Sequence, residues 1–119
     1  IFTDKSIYKK FAKQLSHIDN INIFFDLNKN TLSNSDCIMT DVFNSMNDTE
    51  NKEKILNKFQ VNEKIMSLTS EKCVFMHCLP AKIGSEVTKE VIKGPKSIVI
   101  QQAKNRMIAQ KGILKWLNI

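Results

Sequence analysis

An α/β fold, with a three-layer, mostly parallel Rossmann-like sheet flanked by helices, is what this sequence predicts, and two observations predict it. Short β-favouring apolar runs alternate along the chain with amphipathic helical stretches, the pattern of parallel strands joined by right-handed crossovers. Polar clusters follow the runs that end near residues 40, 77 and 100, and in such sheets ligands sit beyond the carboxyl ends of the strands. No repeat, low-complexity tract or linker divides the 119 residues, so the chain is at most one domain.

The elements follow in order. Ile7, Phe11, Leu15 and Ile18 recur at helical spacing, with Ser6 placed to cap the first turn. Ile21 to Phe25 and Cys37 to Thr40 read as strands, separated by a polar stretch long enough for a short helix. The segment after Asp41 is rich in Asn, Ser and Asp, which favour a loop, and runs into a helix around Ile55, Leu56 and Phe59. Asn62 caps a helix through Ile65 and Met66, and Cys73 to Met76 is a strand stopped by His77, Cys78, Leu79 and Pro80. A helix near Glu86 to Ile92, the Gly94-Pro95 turn, a strand from Ser97 to Ile100 and a terminal helix over 104–117 complete the prediction.

Composition narrows the function classes. Hydrophobic residues at 42% and charged residues at 25% are ordinary for a globular domain. No apolar run approaches a bilayer span and the first ten residues lack signal-peptide features, so a cytoplasmic location with no membrane partner is expected. Three cysteines, at 37, 73 and 78, form no CxxC pair, and strand alternation sends Cys73 and Cys78 to opposite faces; neither disulfides nor a metal is expected. The net charge of +6 comes from lysines scattered among acidic residues without interleaved aromatics, which argues against nucleic acid. Of the 18 basic residues, Arg106 is the sole arginine. A guanidinium offers a planar fork of donors suited to phosphate or carboxylate, although a surface salt bridge would explain it equally.

Three strand-end clusters then hold the candidate chemistry. Asp41 with Ser45 and Met46 offers a carboxylate and a hydroxyl that suit an amino acid's polar groups, or that simply make a turn or helix cap. Cys78 beside His77 reads either as a thiol of lowered pKa or as a small apolar residue. Gln101 to Arg106 forms the third cluster. A Ser-His-Asp grouping and a glycine-rich phosphate loop are both missing, since glycine occurs only at 84, 94 and 112.

As a set, however, TDVFNSM at 40–46, FQVNEKIM at 59–66, FMHCLPA at 75–81, EVTKEVIKGPKSIV at 86–99 and NRMIAQKGIL at 105–114 resemble the C-terminal, ornithine-binding part of the ornithine carbamoyltransferases. The resemblance covers nearly the whole chain. It implies transfer of a carbamoyl group from carbamoyl phosphate to the δ-amino group of ornithine, giving citrulline and phosphate without a cofactor, in a cytoplasmic homotrimer of arginine metabolism whose active sites lie between subunits. It further implies that Asp41 binds the α-amino group, that Ser45 and the Met46 backbone hold the polar end, and that Cys78 lies near the δ-amino group. The Leu79 carbonyl would accept a hydrogen bond from that amine, and Arg106 would stabilise charge developing on carbamoyl phosphate. Asp41, Cys78 and Arg106 are thus the expected catalytic residues, while His77 is either a ligand contact or purely structural.

Some positions depart from the family pattern. Asn47 stands where glycine is usual, Lys82-Ile83 where His-Arg often follows Leu-Pro-Ala, and Lys104 where glutamate precedes Asn-Arg. The Ser-x-Arg-Thr and His-Pro motifs of the family's carbamoyl-phosphate domain do not occur, nor does the Gly-Asp-Gly-Asn-Asn segment that opens the ornithine domain. Residues 1–119 are therefore expected to form a partial ornithine-binding domain, incomplete at the N-terminus, short of a central strand and inactive by itself. Two other readings compete: a carbamoyltransferase for another amine such as putrescine, and a non-catalytic amino-acid-binding module. Ser45-Met46 favours ornithine over the diamine.

Overall fold

The computed structural model describes residues 1–44 and 51–118. Helices and parallel strands alternate as α1 (Lys5–Leu15), α2 (Lys29–Leu32), β1 (Cys37–Thr40), α3 (Glu53–Leu56) continued by a 3₁₀ turn (Asn57–Phe59), α4 (Glu63–Ser67), β2 (Val74–His77), α5 (Lys89–Ile92) and α6 (Val99–Trp116). β1 and β2 pair in parallel, with Cys37 opposite Val74 and Thr40 opposite His77. On its other side β2 meets residues 96–98, through Phe75 N–H to the Lys96 carbonyl at 2.8 Å and Ile98 N–H to the Phe75 carbonyl at 3.0 Å. The architecture is α/β with parallel pairing throughout the described sheet.

Two expected strands contract to single bridges. The run 21–25 pairs only at Phe24, with Phe2, where the two rings also stack at 5.3 Å. The run 97–100 pairs at Ser97 alone, because α6 begins at Val99, five residues before the expected start at Lys104. β-branched residues there yield to helical context, as propensity commonly does to tertiary packing. Gln101 to Arg106 is consequently helix rather than a strand-end loop. β2 also runs to His77, one residue beyond the predicted Met76, and the helix expected from Glu86 starts only at Lys89, capped by Thr88.

Helix capping confirms one expectation and corrects another. Asn62 caps α4 through its side chain, which accepts from Ile65 N–H at 3.0 Å. For α1 the cap is Asp4, not Ser6: the Asp4 carboxylate accepts both the backbone N–H and the hydroxyl of Ser6, at 2.9 and 2.8 Å. Asp4 is extended, at φ −81° and ψ 147°, the geometry that turns a carboxylate toward the open N–H groups of the first turn.

The core lies where α4, β2, α5 and the start of α6 converge, on Val61, Met66, Cys73, Phe75, Val87, Val91 and Val99. Phe75 and Val87 are wholly excluded from solvent; full burial of such side chains is worth about 1.5–3 kcal/mol each. Cys73 and Phe75 share one face of β2, so the next residue of that face, His77, is carried into the same interior.

The Asp4 cap should show in acid. Bonds from Ser6, foremost its backbone N–H, together with Lys58 at 3.1 Å, hold the Asp4 carboxyl at about 2 against the usual 3.8. A folded value below the unfolded one means stabilisation that is present above about pH 4 and lost as pH falls toward 2. We expect far-ultraviolet circular dichroism of the protein to lose helix over that window. In Asp4→Asn, whose amide oxygen still caps but cannot titrate, that part of the acid loss should be absent.

Candidate functional site

The register of the sheet assembles the site. Because Thr40 stands opposite His77, the next residue on each strand, Asp41 and Cys78, leaves the sheet at the same level. Their side chains meet, the Cys78 thiol donating to Asp41 Oδ1 at 2.9 Å. The same oxygen accepts the Val42 N–H at 2.7 Å, which fixes the carboxylate against its own turn. Both groups face outward from the sheet end, while Cys73 is buried in the core on the other face.

This contact sets the ionisation of both partners. The hydrogen bond from Cys78, with that from Val42, pulls the Asp41 carboxyl below its usual value. The same bond, with desolvation and the nearby Asp41 charge, pushes the Cys78 thiol up. A thiol of lowered pKa, one of the two sequence readings, is thus corrected: the neighbour that matters is a carboxylate and not the histidine.

His77 is turned away from the thiol. Its ring is fully buried, with Nδ1 accepting the Leu79 N–H at 2.9 Å and Nε2 lying 3.2 Å from Glu86 Oε1. Since Nδ1 must offer a lone pair to Leu79, Nε2 carries the ring hydrogen and donates it to Glu86. Glu86 is itself fully buried; its Oε1 also takes the Lys82 N–H at 2.5 Å, and its Oε2 has no hydrogen-bond partner among the described residues. Leu79 adopts φ +56° and is followed by a cis peptide to Pro80. A left-handed backbone costs an L-residue roughly 1–2 kcal/mol, and a hydrogen bond returns about 1 kcal/mol. The His77–Leu79 bond is therefore of the right size to decide whether that turn holds.

Open clefts adjoin these residues. One of about 660 Å³ is lined by Thr40, Asp41, Val42 and Phe43 together with Lys52 and residues of the N-terminal segment. Another, of about 810 Å³, is lined by Cys78, Leu79, Pro80, Gln102, Asn105 and Arg106. Arg106 is exposed on α6 and makes no ion pair among the described residues. Lys82, one of the unusual positions, pairs with Glu53 at 3.0 Å, at the side of the site. Ser45, Met46 and Asn47 lie outside the described residues.

Two supporting residues escaped the sequence reading. Glu86 appeared only as the start of an expected helix and within a family motif, and a carboxylate before Val-Thr carries no signal that it will be buried. Gln102 accepts the His77 backbone N–H through its side-chain oxygen at 3.0 Å, tying α6 to the end of β2. The early start of α6 is what puts Gln102 there, and the helix had been expected to begin beyond it.

Comparison with known proteins places this geometry. Residues 1–117 match the family described as aspartate/ornithine carbamoyltransferase, Asp/Orn binding domain. The chain is 52% identical over 84 residues to an ornithine carbamoyltransferase of Rhodopseudomonas palustris, covering 69% of this chain and 27% of that one. It is 46% identical over 109 residues to that of Methanobrevibacter smithii, covering 89% and 35%. Among solved structures, the anabolic ornithine carbamoyltransferase of Campylobacter jejuni superimposes with a TM-score of 0.73 at 30% identity, over 97% of this chain and 39% of that one. The chain thus spans about a third or less of the length of these curated relatives.

The Asp41–Cys78 contact has a direct readout. In Asp41→Ala the thiol loses the partner that holds its proton, so its alkylation by iodoacetamide should move to lower pH and quicken at neutral pH. Peptide-resolved mass spectrometry separates Cys78 from the exposed Cys37 and the buried Cys73. An unchanged pH profile at Cys78 would mean that the two side chains do not meet in solution.

Proposed function

The chain belongs to the aspartate/ornithine carbamoyltransferase family, and from that premise we propose that it is the ornithine-binding part of an ornithine carbamoyltransferase. The activity proposed for the whole enzyme is transfer of the carbamoyl group from carbamoyl phosphate to the δ-amino group of L-ornithine. The observation that carries the reading is the 2.9 Å contact of Cys78 with Asp41 at neighbouring strand ends, beside a cleft shared by Leu79 and Arg106.

The chemistry proceeds from the amine. Asp41 attracts the substrate's α-amino group, and Ser45 with the Met46 backbone holds its polar end. The δ-amine is protonated at neutral pH and must lose that proton before its lone pair can attack the carbamoyl carbon. An ordinary amine titrates near 10.4, far from a carboxylate. The ammonium gives its proton to the Cys78 sulfur as the thiol passes its own to the Asp41 oxygen that it already meets at 2.9 Å, which is the sense in which the two residues act jointly. Once neutral, the amine gives one hydrogen to the Leu79 carbonyl and another to the Cys78 sulfur, which aims its lone pair outward. Attack forms the C–N bond and a tetrahedral intermediate; the extra proton on nitrogen passes to the bridging phosphate oxygen as the C–O bond breaks, and hydrogen phosphate leaves. Arg106 stabilises the negative charge that develops during both steps. The same reading makes the enzyme a cytoplasmic homotrimer.

Assays of the full-length protein as its gene encodes it test this. Carbamoyl phosphate with L-ornithine should yield citrulline, at a rate that rises with pH above neutrality, whereas putrescine should be a poor acceptor. Arg106→Lys keeps the charge but loses the fork and should lower kcat about 10²-fold. The 119-residue chain by itself should form no citrulline. Carbamoylation of putrescine in preference to ornithine would overturn the substrate assignment, and citrulline formation by the isolated chain would overturn the need for further residues.

A further inference from the structure

We infer that His77 and Glu86 are positioning residues: a buried relay that runs from Glu86 through the His77 ring to the Leu79 N–H, and so sets where the Cys78 thiol and the Leu79 carbonyl stand. It rests on the proposed function only in saying what those two groups are placed for.

The geometry is that of a brace. Leu79 is two residues beyond His77, and its left-handed backbone at φ +56° brings its N–H back onto the ring at 2.9 Å. The ring cannot swing to follow a moving loop, because its other nitrogen is held by Glu86 and its main-chain N–H by Gln102. Glu86 is anchored in turn: its oxygen also takes the Lys82 N–H, and its carbonyl accepts the Val61 N–H at 2.9 Å. Residue 78 is the one link between the braced His77 and the braced Leu79. Its thiol, carried between them, meets Asp41 at 2.9 Å.

A pair that merely filled the interior would be served by apolar residues. Burying two polar side chains, one with an oxygen that has no partner among the described residues, is costly unless the directions of their bonds are needed. Apart from their bond to each other, the groups these side chains bind belong to the segment 77–82, the strand end and turn that carry Cys78 and Leu79.

Two substitutions separate the halves of the relay in the full-length protein. The oxygen of asparagine reproduces the Nδ1 position, so His77→Asn keeps an acceptor for the Leu79 N–H. The amide nitrogen of glutamine reproduces Nε2, so His77→Gln keeps the donor to Glu86 and drops the bond to Leu79. The readout is the pH profile of Cys78 alkylation, resolved by peptide. The charged groups that face this thiol are Asp41 from β1 and Glu86 behind the turn, with Arg106 of α6 across the cleft, and the variants alter none of them. In His77→Gln the profile should shift to lower pH and the neutral-pH rate should rise several-fold, because Cys78 leaves Asp41. His77→Asn should stay close to the parent profile. Isothermal titration with L-ornithine should follow the same order, with a loss of ten-fold or more for His77→Gln.

If both variants fold, by circular dichroism, and match the parent in thiol profile, the relay does not position the thiol and the inference fails. It fails equally if the two variants shift together, since a structural role alone predicts that. Should either variant fail to fold, Glu86→Gln and Glu86→Leu decide together: both remove the charge, but only glutamine keeps the oxygen that both donors use, so a Cys78 profile nearer the parent in Glu86→Gln than in Glu86→Leu supports the relay, and the same profile in both overturns it. The thiol measurement contains no substrate, so a parent protein that shows the expected thiol order yet binds no ornithine overturns the proposed function and leaves this inference standing.

Discussion

Parallel pairing of β1 with β2 is the constraint on which the candidate site depends. In a parallel pair both strands run out at the same edge, so whichever residues follow Thr40 and His77 must emerge together. Asp41 and Cys78 lie 37 residues apart in sequence and share a hydrogen bond because of that register. A slip of one residue would reverse the faces of β2, sending His77 to the solvent and Cys78 into the interior. The core forbids it, since Cys73, Phe75 and His77 occupy one face and are all buried. The hydrophobic interior thus sets the position of the polar site, although the two share no atom of their side chains at the point where the chemistry lies.

The electrostatics of the pair follow from its placement at the strand ends rather than within the interior. Near water, Asp41 can remain ionised while it takes hydrogen bonds from Cys78 and Val42, and each of those bonds favours the charged carboxylate. The thiol experiences the same contact with opposite effect, as its proton is held by a neighbour whose negative charge opposes forming a second one. The two shifts are one interaction seen from both partners, which is why they have opposite signs.

How much of this was legible in the sequence differs by residue. The alternation of elements, the cap at Asn62, the opposite facing of Cys73 and Cys78 and the clustering of polar residues after β1 and β2 all follow from local pattern and period, and the structure agrees. The strand at 97–100 did not survive, because one bridge at Ser97 satisfies β2 and the chain then turns directly into helix. The cap of α1 was read two residues late: Ser6 has the right chemistry, but Asp4 has the extended backbone that a cap requires. The direction of the Cys78 shift could not be read from its neighbours in sequence, since His77 is adjacent along the chain yet points elsewhere, and Asp41 is distant along the chain yet touches. Glu86 illustrates the same limit, because burial of a carboxylate is decided by partners that only the tertiary fold supplies.

The turn after β2 is also a case of a loop made rigid by polar pairing instead of apolar packing. The main-chain N–H groups of Leu79, Lys82, Gly84 and Ser85 all have partners, as do the carbonyls of Gly84 and Ser85, both bound by the Gln60 side chain at 2.9 Å. Loops satisfied only by water can shift at little cost, whereas one whose donors end on buried acceptors must break several bonds at once to move. A binding group carried on such a loop arrives already oriented, so less of the interaction with a ligand is consumed in ordering it. The rigidity falls at the segment that carries the Leu79 carbonyl and the Cys78 thiol, and Asp41 accepts from that thiol as well as from the Val42 N–H. The thiol that Asp41 meets is thus presented by a segment that several polar bonds hold in place.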